Sequence, residues 1–586
     1  MIAETSMKGL ESFQLGRWDY LAFIAYFVVL SMIGYWAGRR KKSRSDDYFL
    51  AGRSLPWYVV GSSFIASNIS SEHFIGMVGA AFMLGICAAL FEWGNILSFS
   101  ILIWFFIPFL LASKVFTAPE FMERRFNPTL RNAFAIATVI TNVLAFLAGV
   151  LYGGGVAIQK LFGWDLWFAV TILAIAAGAW AIYGGLSSAA WADVFTVIVM
   201  VAGGMTVTIL GLQSLSPNHS VIDGFKTVIE RNQATEGIWA EAVAQNVQNI
   251  VPGEETYNRL SVIQPATHKL IPWSSLILIT FTVSIWYNVI NQFMIQRVLG
   301  AKSMYHARMG IVFAGYMKIL LPVIVVLPGL ILFAKNPEIL KLPWDQIGPE
   351  ADKGYVHMLQ EFVPLGIRGL FLAALFGAIQ STVQAVLNST ATIFTLDIYK
   401  PMLRPTASEK NLVWTGRIAA IAFLGLAILL ALLIARLGGG LFNYVQTLYA
   451  FFAPPFGAIF LLGILFRRIN GQGASAGVLL GFLTAIAIKL ALYKQWIHDP
   501  VAAWLSPFGN QAVVTWLVAI VACVIVSLLT PAPRPEQVTD ELTFNWRKLN
   551  IFADLGRHWY THVLLWWALF VLIVGGLMLL FSGIWF

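Results

Sequence analysis

Charge is scarce in this 586-residue chain: only 11% of its residues are Asp, Glu, Lys or Arg, where a soluble protein carries roughly 25%. A soluble chain of this length would divide into domains with charged surfaces between them, and no segment here has that composition. Cysteine is almost absent. Cys87 and Cys523 both fall in apolar stretches, which excludes a disulfide framework or zinc-ligand spacing and predicts two small core residues. The net charge is +9, yet the basic residues are spread over many short connections, which excludes a nucleic-acid-binding patch. A cleavable leader is missing too: the first apolar run follows Asp19 without a small-residue cleavage site, which predicts a retained helix.

What the chain has instead is apolar length. Hydrophobic residues make up 58% of it, in fourteen runs near 19–38, 57–83, 86–112, 132–157, 166–183, 188–213, 273–298, 309–334, 366–397, 414–435, 441–466, 473–492, 512–530 and 563–585. Each is long enough to cross a hydrocarbon layer of about 30 Å. Each must be helical, because a spanning segment has to satisfy its backbone polar groups internally; a β-barrel would need short alternating segments. The expected fold is an all-α membrane protein of about fourteen transmembrane helices. Arg39, Arg40, Lys41, Lys42, Arg44, Arg124, Arg125, Arg297, Lys302, Arg308, Arg467 and Arg468 fall on one side if the helices alternate. Basic loops face the cytoplasm, so both termini are expected outside a plasma membrane. The long connections 214–272 and 335–365 then lie outside, where short helices over the outer face are expected. The stretch 531–560 should run along the inner surface.

Two runs differ from the rest. Segment 57–83 is interrupted by the polar residues of 66–73, and segment 273–298 carries Ser284, Tyr287, Asn288 and Asn291 on one helical face. They are the first members of two successive five-helix units. Interrupted helices at matching positions point to an inverted-repeat transporter with a site at mid-membrane. The expected division is 1–56 (outer N-terminus, leading helix, inner basic loop), 57–213 (first repeat), 214–272 (outer loop), 273–466 (second repeat) and 467–586 (trailing helices).

Ionisable groups inside such spans cost roughly 2.5–3.5 kcal/mol each near a helix centre and so require a reason. They are Glu72, His73, Glu92, Asp193 and Lys318. Glu92 and Asn95 share a helical face beside Phe91 and Trp93, and Gln446 lies near Tyr444 and Tyr449. Carboxylate, amide and aromatic groups together suit a sugar, whose hydroxyls need donors and acceptors and whose C–H face packs on rings. The same amides also serve as helix–helix bonds in membranes. For a cation, Ser381 and Thr382 after Ala378 offer hard neutral oxygens, although such hydroxyls also bond their own backbone. No His/Cys/carboxylate spacing suggests a transition metal. The triplets Gly153–Gly155 and Gly438–Gly440 lack the strand–loop–helix setting of a phosphate loop. No nucleophile–base pair is present, so no enzymatic activity is expected.

From about residue 19 to 530 the chain resembles the solute:sodium symporter family, within it the sodium/glucose cotransporter branch. The resemblance rests on collinear motifs: Ala66-Ser67-Asn68-Ile69 with Glu72-His73-Phe74-Ile75-Gly76; Phe91-Glu92-Trp93; Pro119-Glu120-Phe121; Tyr183-Gly184-Gly185-Leu186 with Trp191-Ala192-Asp193; Asn291-Gln292 with Gln296-Arg297; and Leu387-Asn388-Ser389 with Asp397-Ile398-Tyr399. It implies a LeuT-type five-plus-five inverted repeat with one leading and three trailing helices. It implies sugar contacts from Asn68, His73, Glu92, Asn95, Lys318 and Gln446, with Ser284 and Trp286 nearby. It implies an inner gate at Tyr287 and an outer lid of Met77, Phe91 and Phe442. It implies a co-transported sodium ion on the carbonyls of Ala66, Ile69 and Ala378 and the hydroxyls of Ser381 and Thr382. A second sodium position, found in some members, would use Ser67 and Asp193, but its serine is here Ala385, which favours one sodium per sugar. Two further departures matter. His73 matches animal glucose cotransporters where bacterial galactose-transporting members have glutamine, and Asn288 replaces a tryptophan. The implied function is sodium-driven symport of a neutral hexose, glucose or galactose, by alternating access. The alternatives are a sodium symporter of another small solute (inositol, nucleoside, amino or organic acid) and a non-transporting membrane sugar sensor.

Overall fold

The computed structural model describes residues 15–38, 51–113, 117–273, 279–434, 441–545, 547–548 and 550–585. The basic run from Arg39 to Arg44, the Gly438–Gly440 triplet and the side chains of Tyr183, Gly184 and Gly185 lie outside the described residues. Among the described residues, eleven helices are long and apolar enough to cross a membrane. The expected fourteen differ from these eleven at three places. Runs 57–83 and 86–112 share one candidate span, Glu72–Leu111, because the first begins as the twelve-residue helix Trp57–Asn68. Run 166–183 is the short apolar helix Leu166–Gly178, continuous with the span Leu186–Ser214. Run 273–298 is in pieces: Thr280–Ser284, Trp286–Ile290 and Gln292–Leu299.

Burial orders the spans. In an apolar 18-residue stretch of each, 89% of residues are buried in Glu72–Leu111 and 83% in Arg368–Leu403, against 22% in Arg17–Ala37, 28% in Gly471–Tyr493 and 17% in Val563–Leu580. The pieces of the broken helices are buried too, residues 59–68 and Gln292–Leu299 throughout, so they sit at the centre, and the leading and trailing helices present apolar faces to the surroundings.

The two breaks have the same backbone geometry. Helix Trp57–Asn68 stops because Ile69 is extended (φ −78°, ψ 123°). The second stops at Asn291 (φ −64°, ψ 124°), after which Gln292–Leu299 resumes. Each break releases backbone groups from the helical ladder, and the flanking π-helical turns (Glu72–Met77 and Trp286–Ile290) widen it further.

Trp57–Asn68 runs parallel to Met304–Val325. The Trp57 N–H donates to His306 Nδ1 at 3.1 Å. One turn on, a Cβ on Gly61 would fall 2.4 Å from the Gly310 carbonyl. The small pair lets the backbones close up, and two turns further Asn68 meets Lys318.

Asp19, fully buried, fixes the leading helix to Arg368–Ile393: its carboxylate accepts from the Gly366 N–H at 3.0 Å, the Gly369 N–H at 3.0 Å and the Gly16 N–H at 2.8 Å. On the opposite side, motifs far apart in sequence converge. The Ala118 N–H donates to Gln292 Oε1 at 3.2 Å, and Asp397 accepts from Thr117 at 3.3 Å and Arg131 at 2.9 Å. The 531–560 stretch crosses this face. Asp540 pairs with Arg467 at 2.7 Å, and buried Arg308 donates to the carbonyls of Ala553 at 2.6 Å and Ile551 at 2.8 Å.

The 214–272 connection forms the helices Val221–Asn232, Gly237–Ala244 and Val247–Ile250. Its Arg259, buried, donates to the carbonyls of Phe82 at 2.7 Å and Met83 at 3.0 Å. A cation is thereby placed at the C-terminal end of helix Val78–Leu84, where the helix dipole favours it. The chain then turns at Gly85, whose φ of 81° needs glycine and whose Cβ would strike the Arg259 carbonyl.

His268 locks the same cap. Its Nδ1 accepts from the Leu270 and Ile271 N–H groups, both at 3.1 Å, which leaves the proton on Nε2 facing the Tyr257 hydroxyl at 3.0 Å. Burial pushes its pKa from 6.5 to about 3. Between those values the unfolded chain binds a proton that the folded one refuses, so stability is complete above pH 6.5 and falls as pH drops toward 3. At pH 5 the loss should be about 2 kcal/mol. The check is the thermal midpoint in detergent at pH 7.5 and pH 5: His268→Gln should flatten the dependence, and an unchanged slope would discount His268.

Candidate functional site

The interrupted helices enclose a cavity lined by Asn68, Glu72, His73, Met77, Leu90, Phe91, Glu92, Gly94, Asn95, Ile271, Ile279, Val283, Ser284, Tyr287, Lys318, Gln446 and Tyr449. Of its acidic and basic side chains, Lys318, Glu92 and His73 are paired with one another, and Glu72 is held by an amide. Lys318 Nζ lies 2.6 Å from Glu92 Oε2 and also donates to Asn68 Oδ1. His73 Nε2 lies 3.3 Å from Glu92 Oε1. The Ser70 N–H donates to His73 Nδ1 at 3.3 Å, which holds the ring with its Nε2–H toward the carboxylate. Gln446 Nε2 donates to Glu72 Oε1 at 3.2 Å. A buried carboxylate and ammonium in contact present little net charge, so the cavity suits a neutral solute with many hydroxyls.

Aromatic layers bound it on two sides. Phe91 meets Phe442 edge-on at 4.7 Å and stacks on Phe508 at 6.2 Å. On the other side Tyr287 packs with Tyr449 at 5.7 Å and with Phe146 at 5.8 Å.

Of the residues expected at the site, Asn68, His73, Glu92, Asn95, Ser284, Lys318 and Gln446 line the cavity, as do Met77, Phe91 and Tyr287. Trp286 does not: it is buried behind the wall against Phe146 and Tyr449. Phe442 covers Phe91 from the far side and lines a neighbouring cavity instead. Sequence reasoning placed Glu72 only among the costly ionisable groups and Tyr449 only near Gln446. Their adjacency to the helix break and their i, i+3 relation to Gln446 were the available signals. Ile271, from the long connection, carried none.

Of the expected cation ligands, Thr382 reaches the first break. Ala66, Ile69, Ala378, Ser381 and Thr382 are all buried, and Thr382 Oγ1 donates to the Ile69 carbonyl at 3.1 Å. Oxygens so spaced can share one cation held at about 2.3–2.6 Å, the range of a similarly sized calcium ion. The Ser381 hydroxyl instead donates to Asp193 Oδ1 at 2.6 Å, and Ser63 donates to Asp193 Oδ2 at 2.6 Å. Ser67, expected beside Asp193, donates to the Ser63 carbonyl at 2.8 Å. Arg297 Nε closes the chain of contacts on Ser63 Oγ at 3.1 Å.

An all-helical membrane protein whose broken helices meet at a buried polar cavity is, by class, a secondary transporter. The chain belongs to the Sodium:solute symporter family, whose model matches residues 48–481; sodium is therefore the co-transported ion. A sodium/glucose cotransporter of Vibrio parahaemolyticus is 34% identical over 553 residues, covering 91% of this chain and 95% of that protein. A human sodium/myo-inositol cotransporter is 32% identical over 557 residues, covering 91% of this chain and 76% of that protein. Among solved structures, a Na+-coupled sialic acid symporter in a substrate-bound outward-open state matches with a TM-score of 0.70 at 19% identity, over 89% of this chain and 99% of that one. That likeness is one of fold.

Proposed function

We propose that the chain carries a neutral hexose, glucose or galactose, into the cell together with one sodium ion. The observation that carries this reading is the self-neutralising Asn68–Lys318–Glu92–His73 network, set between aromatic layers and flanked by the amides of Asn95 and Gln446. A charged solute would unbalance it; a polyol can exchange hydrogen bonds with it. The printed names of the relatives, sodium/glucose and sodium/myo-inositol cotransporters, support a neutral polyol.

Residues 57–213 and 273–466 act as the two inverted repeats, with both termini outside a plasma membrane. Sodium joins the first break to helix Arg368–Ile393, sugar enters, the Met77–Phe91–Phe442 lid closes, and Tyr287 yields on the inner side. A membrane potential supplies about 2.3 kcal/mol per charge per 100 mV, and a tenfold sodium gradient about 1.4 kcal/mol. One sodium then supports roughly several-hundredfold accumulation.

The test is uptake of labelled glucose, galactose and myo-inositol into proteoliposomes under sodium, potassium or proton gradients. Sodium-driven hexose accumulation, lost in Gln446→Ala, is the expected result. Accumulation of myo-inositol alone would move the assignment to inositol, the second reading that the 32% identical relative favours. Proton-driven uptake indifferent to sodium would sink the coupling scheme.

A further inference from the structure

Asn288 is fully buried, one residue beyond the gating tyrosine, and does not line the cavity. Its Nδ2 donates to Asn95 Oδ1 at 2.7 Å and to Ser98 Oγ at 3.0 Å. Asn95 Nδ2 in turn donates to the Phe91 carbonyl at 2.5 Å. That carbonyl decides which way the Asn95 amide faces: only an N–H group can sit against it, so the Asn95 oxygen turns to Asn288. Ser98 holds the same oxygen at 3.4 Å while donating to the Asn95 carbonyl at 3.0 Å. Among the described residues Asn288 Oδ1 has no partner. Asn288 thus commits its donors to Asn95 and to the Ser98 hydroxyl that also touches Asn95, and leaves its own acceptor unmatched in the interior.

We propose that Asn288 is a specificity-positioning residue: by occupying the Asn95 oxygen, it makes this stretch of the cavity wall donor-only. Asn95 keeps one N–H for the solute, while its oxygen is engaged by Asn288 and, more weakly, by Ser98. The solute atom beside it must therefore accept a hydrogen bond, as a hydroxyl oxygen does when its own proton is directed to a carboxylate such as Glu92. With leucine at 288 the Phe91 carbonyl still fixes the Asn95 amide, but the Asn95 oxygen is opened to donors from the solute, and the wall loses that preference. This inference rests on the neutral-polyol reading, and the measurement separates the two.

Competition by monodeoxy and deoxyfluoro hexoses is measured against sodium-driven uptake of the parent sugar in proteoliposomes. At one ring position the deoxy analogue should compete about tenfold worse than the parent, the effect of one net hydrogen bond. The fluoro analogue, which keeps an acceptor and loses the donor, should stay within about threefold of the parent. Asn288→Leu should abolish the difference between the two analogues at that position, and Asn95→Asp should reverse it. Equal losses for both analogues at every position, or a wild-type pattern in Asn288→Leu, would overturn the proposal. If neither hexose nor inositol is taken up, the substrate reading falls, and the positioning role is read from the side-chain amide 15N–1H signals of Asn95, identified by their loss in Asn95→Asp. Asn288→Leu must shift them; unmoved signals overturn the proposal.

Discussion

Lys318→Met should reduce sodium-driven uptake to background and lower the thermal midpoint in detergent, whereas Lys318→Met combined with Glu92→Gln should recover the midpoint but not the uptake. Lys318 and Glu92 are each 3% exposed and lie 2.6 Å apart. Removing one member strands the other charge in a medium that cannot solvate it, at a cost of about 3–5 kcal/mol. Removing both charges together is often neutral. Transport has no such remedy, because Lys318 also holds Asn68, the last residue of the broken helix. Without the ammonium, Asn68 loses its donor and the cavity loses both strong polar partners. If the double variant proves as unstable as Lys318→Met, the two charges are not coupled and the ledger of the cavity must be redrawn. Uptake retained by the single variant would remove Lys318 from the site.

The placement of Asn68 bears on coupling. Asn68 turns its amide to Lys318 and the cavity, while the next residue, Ile69, turns its carbonyl to Thr382. With the sites as proposed, two consecutive residues at one helix break face the two occupants of the transport cycle. An ion that fixes the Ile69 carbonyl also fixes the backbone carrying Asn68, a short mechanical path between sodium and solute.

Much of this was legible in the sequence because membranes impose strict patterns. Apolar runs of about 20 residues revealed the helices, and polar residues at 66–73 and 284–291 exposed the breaks. What periodicity could not convey was where a helix stops being one. Run 57–83 looked like one interrupted span, but the extended Ile69 ends its first part after twelve residues. Trp286 sits between two residues that line the cavity, Ser284 and Tyr287, yet points away. In a π-helical turn, side-chain directions depart from the 3.6-residue spacing that the sequence argument used. Ser381 shows a different limit. Its neighbour Thr382 reaches the break while its own hydroxyl reaches Asp193, and adjacent residues on a helix always face apart by about 100°. Asn288 was visible as a polar residue of the second interrupted segment and as a departure from a family pattern, but not its partner Asn95, which is 193 residues away.

That divergence of Ser381 and Thr382 separates the two cation positions experimentally. Thr382→Val removes a hydroxyl and little volume, and it should weaken sodium binding at least about tenfold, a loss of about 1.4 kcal/mol. The cause is specific: the Ile69 carbonyl loses its 3.1 Å partner, and the break loses one of the oxygens that would share the ion. Because sodium stabilises whatever state binds it by mass action, saturation to a hundredfold excess over its dissociation constant is worth about 2.7 kcal/mol. The thermal midpoint titrated with sodium against potassium at constant ionic strength therefore reports binding without any sugar present. Thr382→Val should shift that titration to higher sodium, and uptake should recover its maximal rate only at raised sodium. Thr382→Ser, which restores the oxygen, should titrate near wild type. Ser381→Ala is the discriminating companion, because its hydroxyl serves Asp193 at 2.6 Å rather than the break. A midpoint shift as large in Ser381→Ala as in Thr382→Val would place the ion between Asp193 and the break. A titration unmoved in Thr382→Val and displaced only in Ser381→Ala would transfer the coupling site to Asp193, and the one-sodium scheme built on Ile69 and Thr382 would fall with it.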